Sequence, residues 1–295
     1  MDGRSLIAQA QKQEAASAGG FSWFGASKQD KLEQAIELYA QAANAFRTSG
    51  QGSDAGAAFE KAAALSKSIN EPNDAANYLN EAFKSYKKTN PADAARTLSQ
   101  AIEHYALTNV RRAATHKQTL AEHLETDHAT KPQAIKEYEK AGEWFSNDNA
   151  EALANKCYIR AADIAAETGD YYRAISHYER IAEVSVNNNL MKWSVKEYLF
   201  KAALCHLATK DVVACKKALE GQYPGLDAAF SPPAMESLFL KNLLECVENG
   251  DPQGFFSNVM QYKERYPLDN WKLDILAKTQ KSIEEADEEA DEDFT

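Results

Sequence analysis

The sequence lacks the segments that would hold it in a membrane or carry it out of the cell. No apolar run approaches the roughly 18 residues that span a bilayer. The residues after Met1 have neither the basic region nor the apolar stretch of a secretory signal, and Gly3 is not placed for myristoylation. We therefore expect a cytoplasmic protein.

Cysteine is scarce and widely spaced. The 295 residues include four cysteines, and no two of them lie close enough in sequence for a Cys-based metal site. They are Cys157, Cys205, Cys215 and Cys246. Each is surrounded by helix-forming residues, so we expect buried free thiols rather than disulfides.

The motifs of common enzymes are missing as well. The chain has no phosphate-binding G-x-x-x-x-G-K-[ST], no G-x-G-x-x-G and no H-E-x-x-H. His116, His123 and His128 are the closest histidines, but their spacing does not align all three on one helix face. No pair of carboxylates is marked as an acid–base couple. We expect no catalytic residues, no metal site, no cofactor and no enzymatic activity.

The negative charge is concentrated near one end of the sequence. Eight of the ten residues from Glu284 to Asp293 are acidic, and without them the net charge of −11 would be −3. The rest of the chain is nearly balanced, so it offers no overall basic body to a nucleic acid. Nucleic acid is therefore not an expected partner.

What the sequence does have is a helical pattern that returns about every twenty residues. Alanine and aromatic residues recur at helical offsets of three and four. The pattern occupies residues 35–46, 55–63, 75–86, 94–105, 134–144 and 174–181. One unit corresponds to one helix and a turn, and such units must stack to bury their apolar faces. No segment shows the period-two alternation of a strand, so the fold class is all-α.

The pattern divides the chain into four predicted regions. An N-terminal helix and an apolar loop occupy residues 1–27, and tetratricopeptide-like helical hairpins that form a twisted sheet of helices occupy residues 28–222. Prolines at 224, 232 and 233 interrupt the rhythm, and the later helices have denser apolar faces with less alanine. We expect a C-terminal helical bundle at 223–283 that caps the array, and an acidic tail at 284–295.

The apolar loop contains three aromatic residues within four positions. Phe21, Trp23 and Phe24 lie between Gly20 and Gly25. Two interpretations stay open: the aromatic side chains fix the first helix onto the array, or they insert at a membrane interface, where tryptophan and phenylalanine are favoured.

Basic residues recur in the middle repeats. Lys156 and Arg160 are four positions apart, hence on one helix face. In a stacked array equivalent faces align, so the cations either form a basic stripe for an elongated acidic ligand or belong to an ordinary solvated surface. The candidate residues are Arg111, Arg112, Lys117, Lys156, Arg160, Lys192, Lys196 and Lys201, with Leu190 and Trp193 among them.

The acidic segment includes one aromatic side chain, Phe294, next to Asp293. The segment either keeps the protein soluble or acts as a plug that binds a partner. In the second case its charges would attract the partner, and the apolar side chain of Phe294 would insert into it.

Several stretches make the chain similar to a known family. They are ANKC at 154–157, WSVKEYLFKAALC at 193–205, LDNWK at 268–272, AGEW at 141–144 and VRR at 110–112. Together they resemble the soluble NSF attachment proteins, the alpha-SNAP branch in its fungal form, over essentially the whole chain. The resemblance implies an adaptor that binds assembled four-helix SNARE complexes and recruits and stimulates the hexameric AAA+ ATPase NSF, which disassembles them in vesicle fusion and intracellular transport. Such adaptors associate peripherally with membranes.

The resemblance also implies roles for particular residues. Lys156 matches a lysine of the SNARE-binding surface, and the other matching concave positions are Arg160, Leu190, Trp193 and Lys196. A second lysine of the animal proteins is replaced by Thr115, where Arg111, Arg112 and Lys117 supply nearby charge.

Further matches lie toward the two ends of the sequence. Phe21, Trp23 and Phe24 match the membrane-attaching loop. Glu245 and Glu248 match acidic contacts to the ATPase, whereas Asn249 replaces a third acid. Phe294 stands where the family has a penultimate leucine.

Two other classes of protein fit the repeat alone. A generic tetratricopeptide co-chaperone would bind extended peptides in one groove, and a scaffold would bind partners without any ATPase response. Competition by extended peptides rather than by coiled coils would identify the co-chaperone, and the missing ATPase response would identify the scaffold.

Overall fold

The computed structural model describes residues 2–18, 27–189 and 191–292, with the backbone alone from residue 287. The chain forms two compact units, Met1–Ala154 and Asn155–Thr295. In the first unit each helix packs against its neighbours in sequence, which makes a series of antiparallel hairpins. The helices are α1 (Gly3–Ala18), α2 (Lys28–Thr48), α3 (Gly52–Ser68), α4 (Pro72–Tyr86), α5 (Pro91–Thr108), α6 (Val110–Leu124) and α7 (Lys131–Asn147).

The second unit combines further hairpin helices with a group of C-terminal helices. Helix α8 (Glu151–Glu167) crosses the boundary between the units. The remaining helices are α9 (Tyr171–Val186), α10 (Val195–Thr209), α11 (Val212–Lys216), α12 (Met235–Asn249), α13 (Pro252–Lys263) and α14 (Asn270–Glu292). Helix α10 contacts α9, α12 and α14, so it is central to this unit.

Local sequence signals set the helix starts. Ser27 and Asp30 form a reciprocal capping box at the start of α2, which satisfies two backbone N–H groups that the helix leaves free. The Asn90 side chain accepts a hydrogen bond from the Asp93 N–H, and Pro91 occupies the first position of α5. Pro72 occupies the first position of α4, as its sequence position predicts, but no side chain caps this helix start.

Alanine and glycine let the helices of the first unit approach closely. Ala42, Ala62 and Ala82 are completely buried. A β-carbon on Gly56 would lie 2.5 Å from the Tyr86 ring, so only glycine fits beside that ring without movement. Small residues opposite large ones are the reason that the repeat combines alanine with aromatic residues.

Tyrosines of the repeat reach across to carboxylates on neighbouring helices. Tyr39 donates to Glu14 at 2.8 Å, and Tyr86 donates to Glu60 at 2.8 Å. Burial, followed by the hydrogen bond to Glu14, raises the pKa of Tyr39 to about 12. The aromatic positions therefore fill the core with their rings and fix helix register with their hydroxyl groups.

The structure confirms the all-α fold of stacked helical hairpins, and the described residues contain no strand. All four cysteines are buried free thiols, as predicted. Helical structure continues from α11 through the π-helical segment Lys217–Gln222, and α14 continues through the acidic run to Glu292. The region boundaries at 27/28, 222/223 and 283/284 stay predictions. No described helix is both long and apolar enough to cross a membrane.

Candidate binding surface

Helix α6 presents two exposed arginines at its start. The side chain of Arg111 forms an ion pair with Asp148. The Arg112 guanidinium lies 4.0 Å from the centre of the Tyr105 ring and donates to Asn77 Oδ1 at 2.8 Å. Stacking and hydrogen bonding hold Arg112 in one pose, so it offers an exposed and ordered positive charge.

Lys117 lies in a different environment from these arginines. Its ammonium pairs with Glu137, its side chain is only 17% exposed, and it lies 5.4 Å from the centre of the Trp144 ring. This lysine connects α6 with α7, and its charge is already compensated. Of the three cations predicted on α6, Lys117 is the least available to a partner.

Helix α8 contributes the next predicted pair. Lys156 is exposed, and it forms no ion pair within the part of the chain that the structure describes. Arg160, one turn further on, lies 3.7 Å from Glu167. The Lys156 charge is therefore available to an acidic ligand, whereas Arg160 shares its charge with a carboxylate.

The turn before α10 carries the most exposed tryptophan of the described residues. Trp193 lies in a short 3-10 turn, Lys192–Ser194, and is 83% exposed. The Lys192 ammonium lies 5.4 Å from the centre of its ring. An indole left in water and backed by a lysine is typical of a contact surface, because tryptophan contributes strongly when a partner covers it.

Lys196 is the second residue of α10 and is half-exposed. It donates to Glu236 Oε1 at 2.7 Å, and this hydrogen bond raises the pKa of Lys196. Its positive charge is thus retained but partly compensated. Leu190, the remaining residue predicted here, lies outside the described residues.

One lysine of the predicted basic stripe is not on the surface. Lys201 is only 13% exposed and donates to Asp163 Oδ1 at 2.7 Å. Its ammonium lies 4.4 Å from the Trp271 ring centre, and Tyr178 donates its hydroxyl proton to the same Asp163 carboxylate. The assignment of Lys201 to a solvated stripe was wrong, because the carboxylate and the rings bring it inward.

This buried cluster is the main feature that sequence reasoning missed. It joins α8, α9, α10 and α14 within the second unit, and the Trp271 indole N–H adds a 3.3 Å hydrogen bond to the Asp163 carbonyl oxygen. Burial raises the pKa of Tyr178, so its hydroxyl stays a proton donor. The available signal was the position of Lys201 between Phe200 and Ala202 in the most apolar part of α10.

The acidic residues predicted to meet an ATPase lie at the end of α12. Glu245 is exposed, and Glu248 receives two hydrogen bonds from Lys216, at 2.8 and 2.7 Å. Asn249 is the last residue of α12. Asp293 and Phe294 lie outside the described residues, and so do Phe21, Trp23 and Phe24.

Two of the three histidines that are closest in sequence, His116 and His123, have contacts within the fold. His116 stacks on Tyr105 with 4.9 Å between ring centres, and burial lowers its pKa to about 4. A ring nitrogen of His123 lies 2.9 Å from the Pro91 carbonyl oxygen. Within the described ranges, no group of three or more potential ligands could hold a metal ion.

Stacked helical hairpins with exposed cations and an exposed tryptophan define a class of all-helical binding proteins. A family model described as soluble NSF attachment protein, SNAP, matches residues 1–284. The chain belongs to the soluble NSF attachment protein family.

Relatives of known name match over nearly their whole length. The chain is 42% identical over 291 residues to a Neurospora crassa protein named "Probable vesicular-fusion protein sec17 homolog", covering 98% of this chain and 99% of that one. It is 42% identical over 297 residues to the Komagataella phaffii "Vesicular-fusion protein SEC17", covering 100% and 99%. It is 36% identical over 287 residues to the Saccharomyces cerevisiae "Alpha-soluble NSF attachment protein", covering 96% and 97%. These names agree with the fungal alpha-SNAP type and with a role in vesicular fusion.

Proposed function

We propose that this protein is a non-catalytic adaptor that binds assembled SNARE four-helix bundles and recruits and stimulates the hexameric AAA+ ATPase NSF. Membership of the attachment-protein family over nearly the whole chain carries the proposal. The exposed Lys156 and the exposed Lys192–Trp193 pair support it from the structure, since they offer positive charge and an aromatic contact to an acidic helical surface.

In this proposal the SNARE contact is formed by the surface residues predicted from the sequence, namely Arg111, Arg112, Lys117, Lys156, Arg160, Leu190, Lys192, Trp193 and Lys196. Exposed ion pairs contribute only about 0–1 kcal/mol each, so several weak contacts and several copies must act together. Arg112 adds a positive charge that is already ordered in the free protein, and Trp193 adds an apolar contact that salt does not screen.

The other two contacts rest on sequence matches. Phe21, Trp23 and Phe24 attach the protein peripherally to a membrane surface, which raises the local concentration of adaptor around membrane-bound SNAREs. The ATPase contact uses Glu245, Glu248, Asp293 and Phe294. The carboxylates attract the ATPase electrostatically, and the Phe294 ring binds to its surface.

One reconstitution tests the adaptor function. A preassembled SNARE bundle is incubated with this protein, NSF and ATP, and disassembly is followed by loss of fluorescence transfer between labelled SNARE chains. We expect disassembly only when all components are present. A tetratricopeptide co-chaperone or a scaffold would give no disassembly, and binding of the co-chaperone would be competed by extended peptides.

Charge reversal tests the SNARE contact. Lys156→Glu with Arg160→Glu should abolish binding to the bundle while the circular dichroism spectrum stays helical. The matched control is Lys263→Glu, an exposed lysine at the end of α13. Unchanged binding of the double variant would contradict the SNARE surface.

The remaining contacts have separate readouts. Serine at positions 21, 23 and 24 should reduce disassembly on liposomes but not in detergent, and an equal loss in both would favour a structural role for the loop.

The ATPase contact is tested by a deletion. Deleting residues 294 and 295 should leave SNARE binding intact and lower ATPase stimulation. Persisting stimulation would exclude Phe294 as a docking residue.

A further inference from the structure

Two cavities of the second unit share part of their lining. One cavity, of about 230 Å³, lies between α12 and α13, and the other, of about 180 Å³, lies beside the starts of α10 and α14. Tyr262 and Tyr266 line both cavities, so the two are neighbours. We call them together the aromatic groove.

Stacked rings make the floor of the aromatic groove. The ring centres of Phe239 and Tyr262 are 3.9 Å apart, and those of Tyr262 and Tyr266 are 4.9 Å apart. Phe200 continues the stack at 6.1 Å from Phe239. Interlocked rings have little freedom to move, so the floor is a preformed apolar surface.

The wall of the groove includes aliphatic side chains that are open to solvent. Met235 is 38% exposed and Leu238 is 41% exposed, both on α12. An apolar floor with partly exposed apolar walls resembles the pockets that receive one anchoring side chain in protein interfaces.

One cation that lines the groove has no ion-pair partner within the described ranges. Lys272 pairs with Glu197 at 2.7 Å and with Asp269 at 3.3 Å. Lys196 pairs with Glu236 at 2.7 Å beside the same cavity. Arg265, which lines the cavity between α12 and α13, is exposed and forms no ion pair with any residue that the structure describes. The aromatic groove therefore suits an apolar anchor that is accompanied by a carboxylate.

We propose that the aromatic groove binds the acidic segment, residues 284–295, of a second copy of this chain. That segment has eight carboxylates and a single aromatic residue, Phe294. Phe294 enters the groove between the stacked rings and Leu238, and a neighbouring carboxylate pairs with Arg265. Both elements that the groove requires thus occur side by side in this sequence.

The occupant is a second copy because the geometry of α14 keeps the chain's own Phe294 away. Leu268, two residues before α14, and Lys272, in its first turn, line the groove. From Asn270 to Glu292 a helix advances about 33 Å at 1.5 Å per residue. The far half of α14 lies beside the end of α10, since Lys210 donates to the Ser282 carbonyl at 3.2 Å. Two residues beyond Glu292 span at most about 7 Å. This reach is much shorter than the advance of α14, so the chain's own Phe294 cannot come back to the groove at the start of that helix.

This contact does not depend on the SNARE or ATPase contacts proposed above, but it competes with the ATPase contact, because both use Phe294. An ATPase that docks on Phe294 would have to displace the neighbouring copy. The acidic segment would then link adaptors to one another before it links them to the ATPase.

The test uses the full-length chain and a fluorescein-labelled peptide of residues 284–295, with fluorescence anisotropy as the readout and no ATPase present. We expect saturable binding. Phe294→Ala in the peptide should weaken it at least about tenfold, the loss that follows removal of an anchoring side chain. Leu238→Asp and Arg265→Gln in the chain should each weaken it similarly.

Two exposed residues of α13 outside the groove provide matched controls. Phe256→Asp and Lys263→Gln should leave the affinity within about twofold, as expected for residues without contact. Equal binding of the Phe294→Ala peptide would overturn the proposal, as would a loss for Phe256→Asp as large as that for Leu238→Asp. Absence of binding would overturn it too, and would say nothing against the ATPase contact, because no ATPase is in the assay.

Discussion

Replacing Lys201 by methionine distinguishes a structural lysine from a surface lysine. If Lys201 belonged to a basic stripe, the change would lower partner binding and leave stability unaltered. In the structure its ammonium compensates Asp163, whose side chain is only 16% exposed. Methionine preserves the alkyl chain, so the change removes chiefly the charge.

The expected loss follows from what remains at Asp163. Removing one member of a buried ion pair costs about 3–5 kcal/mol, because the other charge is left uncompensated. Tyr178 still donates to the carboxylate, and both members of the pair keep some exposure, so we expect about 3 kcal/mol. Loss of the contact with the Trp271 ring contributes roughly 0.5–1 kcal/mol of this.

The assay is urea unfolding followed by far-ultraviolet circular dichroism, on Lys201→Met, Asp163→Asn and the double variant. Because the residues touch, the double variant should lose about 2 kcal/mol less than the sum of the single losses. Lys192→Met, the same change at an exposed lysine, should stay within about 0.5 kcal/mol of the parent. A loss below about 0.5 kcal/mol for Lys201→Met would refute the buried-pair interpretation.

Three further changes test the packing, a helix start and a buried histidine. Gly56→Ala should destabilise the fold by about 1–3 kcal/mol in urea unfolding, because its β-carbon would meet the Tyr86 ring. Gly221→Ala, with open space around it, should not destabilise the fold. Equal effects of the two changes would exclude the clash. Asn90→Ala should cost about 1 kcal/mol through the lost cap, and an unchanged urea midpoint would contradict this. The pKa of His116 falls to about 4 in the folded state, so the stability it contributes is complete above its unfolded pKa near 6.5 and is lost as pH falls toward 4. His116→Phe should flatten that dependence in unfolding measured from pH 7 to 4, and an unchanged slope would contradict the assignment.

Helix positions were predictable because their signals are local. The Asn90–Pro91 start depends on a side chain three residues from its backbone partner and on a proline ring that fits the first helical turn. The small-residue positions followed from the repeat, since a helix in a stacked hairpin has one buried face.

Side-chain availability was not predictable in the same way. The neighbours of Lys117 are polar and those of Lys201 are apolar, but neither context identifies the carboxylate, 20 and 38 residues away respectively, with which each lysine pairs. Those partners come from helices whose facing surfaces are set by packing, which one sequence does not specify. The aromatic groove also depends on tertiary packing. Its rings come from α10, α12, the end of α13 and the segment that follows α13.

Because all four thiols are buried, we expect the folded protein to react slowly with cysteine reagents. Burial raises the pKa of Cys215 to about 12 and raises that of Cys205 as well, so almost none of the reactive thiolate is present at neutral pH. A single cysteine introduced at an exposed site can therefore be labelled selectively without replacing any native residue. The same thiols become reactive only when their surroundings open, so their alkylation rate reports local opening of the helices that contain them.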